Sequence, residues 1–203
     1  DKAKTKDAPF YVAPTNPINV PTMSNKIYSA QYYENDAVQL VMLPYKYHTM
    51  SMAVILPKAK DGLPAVESSL TFEDLQTWLD TATPREVELY LPRWKSASAF
   101  ELTKTLAAMG MPLVFDPEKA DLSGMNASEK LFLSAVLQSV FIDVGEEGTE
   151  AAAATAGVAA TAAAPAAPPT GPVVFRADHP FLYLIVHQSK PILFMGRVVN
   201  PSQ

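Results

Sequence analysis

The sequence predicts an α+β fold dominated by strands. Three observations carry this. Short apolar runs recur along the chain, each bounded by Pro, Gly, Asn or Asp. Only two stretches, 70–80 and 99–111, space their apolar residues at a helical period. A low-complexity stretch of Ala, Thr, Gly and Pro, residues 146–172, lies between two core-forming segments. The chain has 203 residues, 48% of them hydrophobic, enough to bury the core of one sizeable domain or two small ones.

Residues 1–9 are polar and read as disordered or extended. "FYVAPTNPINVPTM" (10–23) holds β-formers interrupted by Pro14, Pro17 and Pro21, which predicts an edge strand, because proline cannot donate to a ladder. "IYSAQYY" (27–33) alternates and runs into the turn "ENDA". "VQLVMLPY" (38–45) and "MSMAVILP" (50–57) fit two buried antiparallel strands joined near "KYH". In "LTFEDLQTWLD" (70–80), Thr71 is an N-cap with Asp74 three residues on, a variant of the capping box. Phe72, Leu75, Trp78 and Leu79 form the inward face. "VELYLPRW" (87–94) returns to alternation and predicts a strand. "AFELTKTLAAMGM" (99–111) predicts a helix with Phe100, Leu102, Leu106 and Met109 inward and Gly110 as its stop. "LFLSAVLQSVFIDV" (131–144) is read as a central strand, although its length also permits a helix. "PFLYLIVH" (180–187) and "PILFMGRVV" (191–199) predict a hairpin around "QSK".

The formal net charge is -5 and the pI near 5.2, so nucleic acid is not an expected partner. The one basic run, Lys2, Lys4 and Lys6, reads as solvated surface. There is no cysteine, which excludes disulfides, thiolate metal sites and cysteine nucleophiles. No apolar run approaches the length of a membrane span. The chain opens with "DKAKTKDAPF" and no initiator Met, and reads as a processed or truncated piece.

Enzyme chemistry finds no footing in the motifs. The three histidines are His48, His179 and His187. A hydrolase triad needs a serine nucleophile and an acid beside one of them, and no G-x-S-x-G elbow is present. His179, in "RADHPF", is read as a capping or hydrogen-bonding group, and His48 and His187 as strand-end residues. No metal-ligand spacing and no phosphate-binding glycine loop appears. The pair Glu146–Glu147 reads as a solvated or salt-bridged strand end.

That leaves the low-complexity stretch. Its composition alone suggests a spacer. Two details oppose this. From Glu146 to Ala164 there is no proline, whereas Pro165, Pro168, Pro169 and Pro172 crowd its end. A segment that must enter a sheet excludes proline; a spacer has no reason to. Thr149, Ala151, Ala153 and Thr155 are small and lie at period two, so an extended chain points them to one face. Only about thirty residues follow, and they read as a buried hairpin that needs the rest of the chain. The stretch is therefore an excursion from one domain.

"VFIDVGEEGTEAAAATA" (140–156), "FRADHPFLYLIVH" (175–187) and "PILFMGRVVNP" (191–201) together resemble the C-terminal signature of the serpins, the serine protease inhibitors. "VQLVMLPY", "MSMAVILP", "VELYLPRW" and "FDPEKADLSGM" (115–125) fit the same family in order, so the resemblance spans almost the whole chain.

The resemblance implies the serpin fold with mixed sheets, a few helices and an exposed reactive-centre loop at 146–174. It implies that residues 1–203 are the C-terminal portion of one serpin domain, without the family's N-terminal half. In serpins the loop is cleaved as a substrate, then inserts into the central sheet and drags the acyl-enzyme with it. The implied hinge is Glu146, Glu147, Gly148, Thr149, Glu150, Ala151, Ala153 and Thr155. Gly148 and Thr149 are its pivot; Ala151, Ala153 and Thr155 slide inward. The family's spacing from Glu146 leads to Ala162 and Ala163 as the residues flanking the scissile bond, within a run of similar choices from Ala159 to Ala167. About sixteen inserted residues at ~3.3 Å each would carry the protease on the order of 50 Å. A small residue at Ala162 suits the shallow primary pocket of elastase-like proteases. Where the family usually has a shutter histidine, this chain has Gln138. The implied protein is no enzyme. It is a monomer when intact, extracellular or in the cell envelope, with a target serine protease as partner and no cofactor, metal, nucleic acid or membrane. A non-inhibitory serpin that binds or stores, and a structural domain with an Ala/Pro tether, are the competing readings.

Overall fold

In the computed structural model, residues 2–146, 171–189 and 191–202 are described. Two compact units result: residues 1–94 with 144–203, and residues 95–143.

The first unit is built on an eight-stranded sheet. Its strands are β1 (Lys6–Ala13), β2 (Asn16–Glu34), β3 (Val38–Pro44), β4 (Met50–Pro57), β5 (Thr83–Pro92), β8 (Val173–Arg176), β9 (Phe181–His187) and β10 (Ile192–Val198). The order is β10-β9-β4-β3-β2-β5-β8, with β1 added beside β2. Every pairing is antiparallel except β5 with β8.

The proline-broken segment is not one edge strand but a hairpin, β1 turning into β2 at Pro14–Thr15. "IYSAQYY" is not separate either; it continues β2, which is 19 residues long. Parity explains how the strands tolerate their prolines. The N–H and C=O of one residue point to the same side, and alternate residues share that side. The Pro21 carbonyl accepts the Arg93 N–H at 2.9 Å, and the Tyr11 N–H donates to the Asp178 carbonyl at 2.7 Å. Pro17 shares a side with Pro21, and Pro9 with Tyr11, so none of these rings interrupts the β1–β2 ladder. The register shift between Ile27 and Ala30 lets one strand serve successive neighbours.

The β2–β3 turn forms where "ENDA" predicts it. The Asn35 side-chain carbonyl accepts from the Ala37 and Val38 N–H groups, both at 2.9 Å. The β3–β4 turn passes through His48, at φ 55°, a left-handed conformation in which histidine is enriched. Residues Met52–Pro57 of β4 and Phe181–Leu184 of β9 are buried without alternation, as strands covered on both faces must be. The hairpin β9–β10 forms as expected.

One face of this sheet packs on α1 (Leu63–Ser69) and α2 (Phe72–Thr81). Val38, Leu40, Ala53, Ile55, Leu182, Leu184 and Val186 meet Leu63, Val66, Leu75 and Leu79 there. The α2 capping box is complete: Thr71 Oγ1 accepts from Asp74 N–H at 3.1 Å, and Asp74 Oδ2 from Thr71 N–H at 3.1 Å. Bonding to Thr71 holds the Asp74 carboxyl below its ordinary value. Phe72 departs from the expected inward face and is 59% exposed. Helix α1 has no counterpart in the sequence reading, because seven residues are too few for a period to show.

On the other face, Trp94 meets Phe181 edge-on at 5.4 Å and Tyr183 at 5.6 Å. Gly196 of β10 lies opposite Tyr183, and a Cβ built there runs into the tyrosine hydroxyl. Gly196→Val is therefore expected to destabilise the protein by about 2–3 kcal/mol, since the ring cannot retreat without disturbing the aromatic cluster. A urea midpoint unchanged by the substitution would contradict this packing.

The second unit holds β6 (Trp94–Glu101), α3 (Thr103–Ala108) and β7 (Leu137–Val144), whose two strands pair as a separate sheet. Two expectations are corrected here. Residues 99–101 extend β6 rather than open a helix, and Phe100 and Met109 are exposed. The Leu102 N–H donates to Val136 C=O at 2.8 Å, so cross-strand pairing overrides the local helical period. Gly110 does end α3, at φ 108°. The long apolar run contributes only residues 137–144 as a strand; β7 pairs with β6 alone among the described residues, and Leu137 and Phe141 are 76% and 65% exposed. Gln138 is exposed on it.

Candidate functional site

The hinge, the scissile pair and the rest of the excursion lie almost wholly outside the described residues. Glu147, Gly148, Thr149, Glu150, Ala151, Ala153, Thr155, Ala162 and Ala163 are among those undescribed. The described residues place the two ends, both within the first unit.

The upstream end is Glu146. It is 5% exposed, a buried carboxylate with partners from two other segments. Thr5 Oγ1 donates to Glu146 Oε1 at 2.6 Å, and Arg93 Nε stands 3.5 Å from Oε2. Arg93 is itself fixed, because its backbone N–H bonds to Pro21 C=O at 2.9 Å. Burying a carboxylate is costly unless it is both paired and hydrogen-bonded, and Glu146 is both. The salt-bridged strand end expected for this glutamate is therefore seen, but as a buried clamp rather than a solvated one.

The downstream end is β8. Val173–Arg176 pair in parallel with Val87–Tyr90 of β5, and Phe175 is fully buried beneath. The chain is then tied three more times. Ala177 N–H bonds to Tyr90 C=O at 2.9 Å, and Tyr11 N–H to Asp178 C=O at 2.7 Å. The buried His179 lies between Asp178 Oδ1, 2.8 Å from Nδ1, and the Pro57 carbonyl, 2.7 Å from Nε2. His179 thus has the hydrogen-bonding role expected of it. His187 Nδ1 meets Ser189 Oγ at 2.7 Å, and His48 sits in its turn at the same end of the sheet, where the Gln188 N–H bonds to Thr49 C=O at 2.8 Å. Among the described residues no group of three or more His, Asp or Glu could hold a metal ion.

The anchors hold one strand at its end and along its middle. Glu146 sits on Arg93, just past β5, and β8 starts opposite Val87. Six residues of β5 separate them, roughly 20 Å. The intervening chain, extended, would reach about four times as far. Sequence reasoning found Glu146 but not Arg93 or Thr5. Thr5 lies 141 residues away in a stretch read as disordered or extended, and no local signal marks it.

A strand-dominated α+β chain with this sheet order matches one known class. A family profile described as "Serpin (serine protease inhibitor)" covers residues 1–201. The chain belongs to the serpin family. Human "Serpin B10" is 35% identical over 202 residues, covering 97% of this chain and 49% of that protein. The "Leukocyte elastase inhibitor" of Xenopus laevis is 38% identical over 203 residues, covering 97% and 52%. That of Equus caballus is 38% identical over 208 residues, covering 98% and 54%. Among solved structures, uncleaved ovalbumin superposes with a TM-score of 0.76 at 31% identity, covering 99% of this chain and 50% of that one. A tumour-suppressing serpin superposes at 0.77 with 26% identity, covering 99% and 52%. The chain spans about half the length of the curated relatives it matches. These relatives lend no support to the extracellular setting expected above. Among the described residues no helix is long and apolar enough to cross a membrane.

Proposed function

We propose that the intact protein inhibits a serine protease as a suicide substrate, with residues 146–174 as its reactive-centre loop. The observation that carries this reading is the junction at Glu146. Immediately after a buried, clamped carboxylate, the chain runs without proline to Ala164 and keeps Thr149, Ala151, Ala153 and Thr155 small on one face. Such a segment can leave the surface and enter a sheet as a strand. Strand β7, which leads into it, has only β6 beside it among the described residues. The prolines begin beyond the part that must insert.

Cleavage between Ala162 and Ala163 is part of the proposal, as is an elastase-like target. The leukocyte elastase inhibitors among the relatives support that preference by their names alone. No Lys or Arg lies between Glu146 and Arg176, so trypsin has no primary-site residue in the loop. An elastase-type protease is expected to form an SDS-stable complex with the intact protein, and trypsin is not. Ala162→Arg is expected to transfer inhibition to trypsin, because it changes the docking residue and leaves the inserting face untouched. Mass spectrometry of the released C-terminal peptide locates the cut. A peptide starting at Ala163 supports the assignment; one starting upstream of Ala159 refutes it, since the inserted strand would be too short. Cleavage without a rise in thermal stability would favour the binding or storage reading.

A further inference from the structure

Strand β8 needs more than its ladder to stay in place. It is 4 residues long, pairs only with β5 among the described residues, and pairs in parallel, the less stable arrangement. Residues 177–180, the short crossover to β9, carry further ties. Ala177 N–H bonds to Tyr90 C=O at 2.9 Å, and Tyr11 N–H to Asp178 C=O at 2.7 Å. The third tie runs through His179, which is 6% exposed. Its ring bridges Asp178 Oδ1, at 2.8 Å, and the carbonyl of Pro57, the last residue of β4, at 2.7 Å.

Both partners of the ring are acceptors. A carbonyl oxygen has no proton to give, and neither has a carboxylate. A neutral imidazole has one N–H and one lone pair. It would set that lone pair against an oxygen at hydrogen-bond distance, in a buried place where an unmade bond is costly. Only a ring protonated on both nitrogens satisfies both contacts, and the Asp178 carboxylate beside it balances the charge. His187 shows the opposite arrangement: its Nδ1 accepts from the Ser189 N–H at 3.2 Å, so that nitrogen carries no proton. The charged groups on the neighbouring segments are engaged elsewhere. Lys58, next to Pro57, pairs with Glu34 at 3.3 Å, Lys60 lies over the Tyr11 ring, and the Arg176 guanidinium stacks on Tyr90. The Asp178 side chain is 25% exposed, which gives the proton a route to water.

We propose that His179 is a proton-operated latch: doubly protonated, it fastens the β8–β9 crossover to the end of β4, and loss of the second proton lets β8 loosen from β5. The sign follows from the contacts. The bridging form is the protonated one, so the latch is closed while the proton is bound and opens as rising pH removes it. Once it opens, one of the two oxygens faces a lone pair and that tie breaks. Strand β8 is then left with its parallel ladder and the two backbone bonds of Ala177 and Asp178. Every group in the latch lies outside the loop, so it operates whether or not the protein inhibits a protease.

The test follows the intact protein, labelled with nitrogen-15 in its histidine rings and backbone amides, through a pH series by NMR. The Nδ1 and Nε2 shifts of His179 are expected to report two ring protons at the acid end and one at the alkaline end. Protection of the Ala177 and Tyr11 amides, corrected for intrinsic exchange at each pH, is expected to fall about tenfold along the same curve. His179→Lys supplies several donors on a far weaker acid, and should hold protection level across the interval in which the histidine ring titrates. Asp178→Asn can offer an amide N–H to an unprotonated Nδ1, so the second proton is no longer required and protection should cease to follow the ring. The asparagine variant decides the matter if the lysine variant does not fold. A His179 ring that never carries two protons in the folded protein overturns the latch. So does protection that ignores the titration in the unmodified protein, or that follows it unchanged in Asp178→Asn.

Discussion

Thr149→Arg, made in the intact protein, is expected to abolish the SDS-stable protease complex while cleavage of the loop continues. The reasoning starts from partition. After the loop is cut, the acyl-enzyme either is carried away by insertion or is hydrolysed. Thr149 is the first of the small residues at period two, so under the proposed insertion it would enter the sheet early and face inward. A guanidinium there must leave water with no carboxylate to meet it, at an effective cost of several kcal/mol. Each ~1.4 kcal/mol on a barrier slows a step tenfold, so a penalty of about 3 kcal/mol gives hydrolysis a lead of roughly a hundredfold. The protein becomes a substrate. Gel densitometry and the stoichiometry of inhibition measure this, with Thr149→Ser as the variant that should behave normally. Full complex yield from Thr149→Arg would remove the argument for insertion.

Glu146→Lys is the second large effect, and it acts before any protease arrives. The substitution removes the acceptor of the Thr5 hydroxyl and puts a second cation beside Arg93. Breaking a buried pair by changing one partner costs ~3–5 kcal/mol. Arg93 is 49% exposed and can turn to water, so the lower end applies, on the order of 3 kcal/mol. Glu146→Gln keeps an acceptor for Thr5 and loses only the charge, and should cost about 1 kcal/mol. Urea unfolding of the intact variants separates the two. Adding Arg93→Glu to Glu146→Lys reverses the pair and should recover part of the loss. Equal stability of Glu146→Lys and the unmodified protein would mean that the clamp contributes nothing.

Several elements were legible because their information is local. The runs that became β3, β4, β9 and β10 are apolar, short and punctuated, and the Thr71–Asp74 box opened α2 where its spacing placed it. Others were hidden because pairing decided them. The segment 99–111 has helical spacing, yet residues 99–101 became strand once Leu102 bonded to Val136. The prolines at 14, 17 and 21 argued for a broken edge, and only the structure showed that Pro14 makes the turn and that Pro17 and Pro21 face away from the β1–β2 ladder. The exposure of Phe72 and the shortness of β7 likewise depend on what lies across from them.

The sequence by itself determined the family and the asymmetry of the prolines after Glu146, because each is carried by contiguous strings whose meaning does not depend on distant residues. It marked Glu146 as a strand-end carboxylate. Only the tertiary structure decided that this carboxylate is buried against Thr5 and Arg93, that β8 is gripped by β5, and that Asp178 and Pro57 hold His179 between them. The physical reason is the same in each case. Desolvation and register are properties of pairs brought together from far along the chain, and no local pattern encodes the partner.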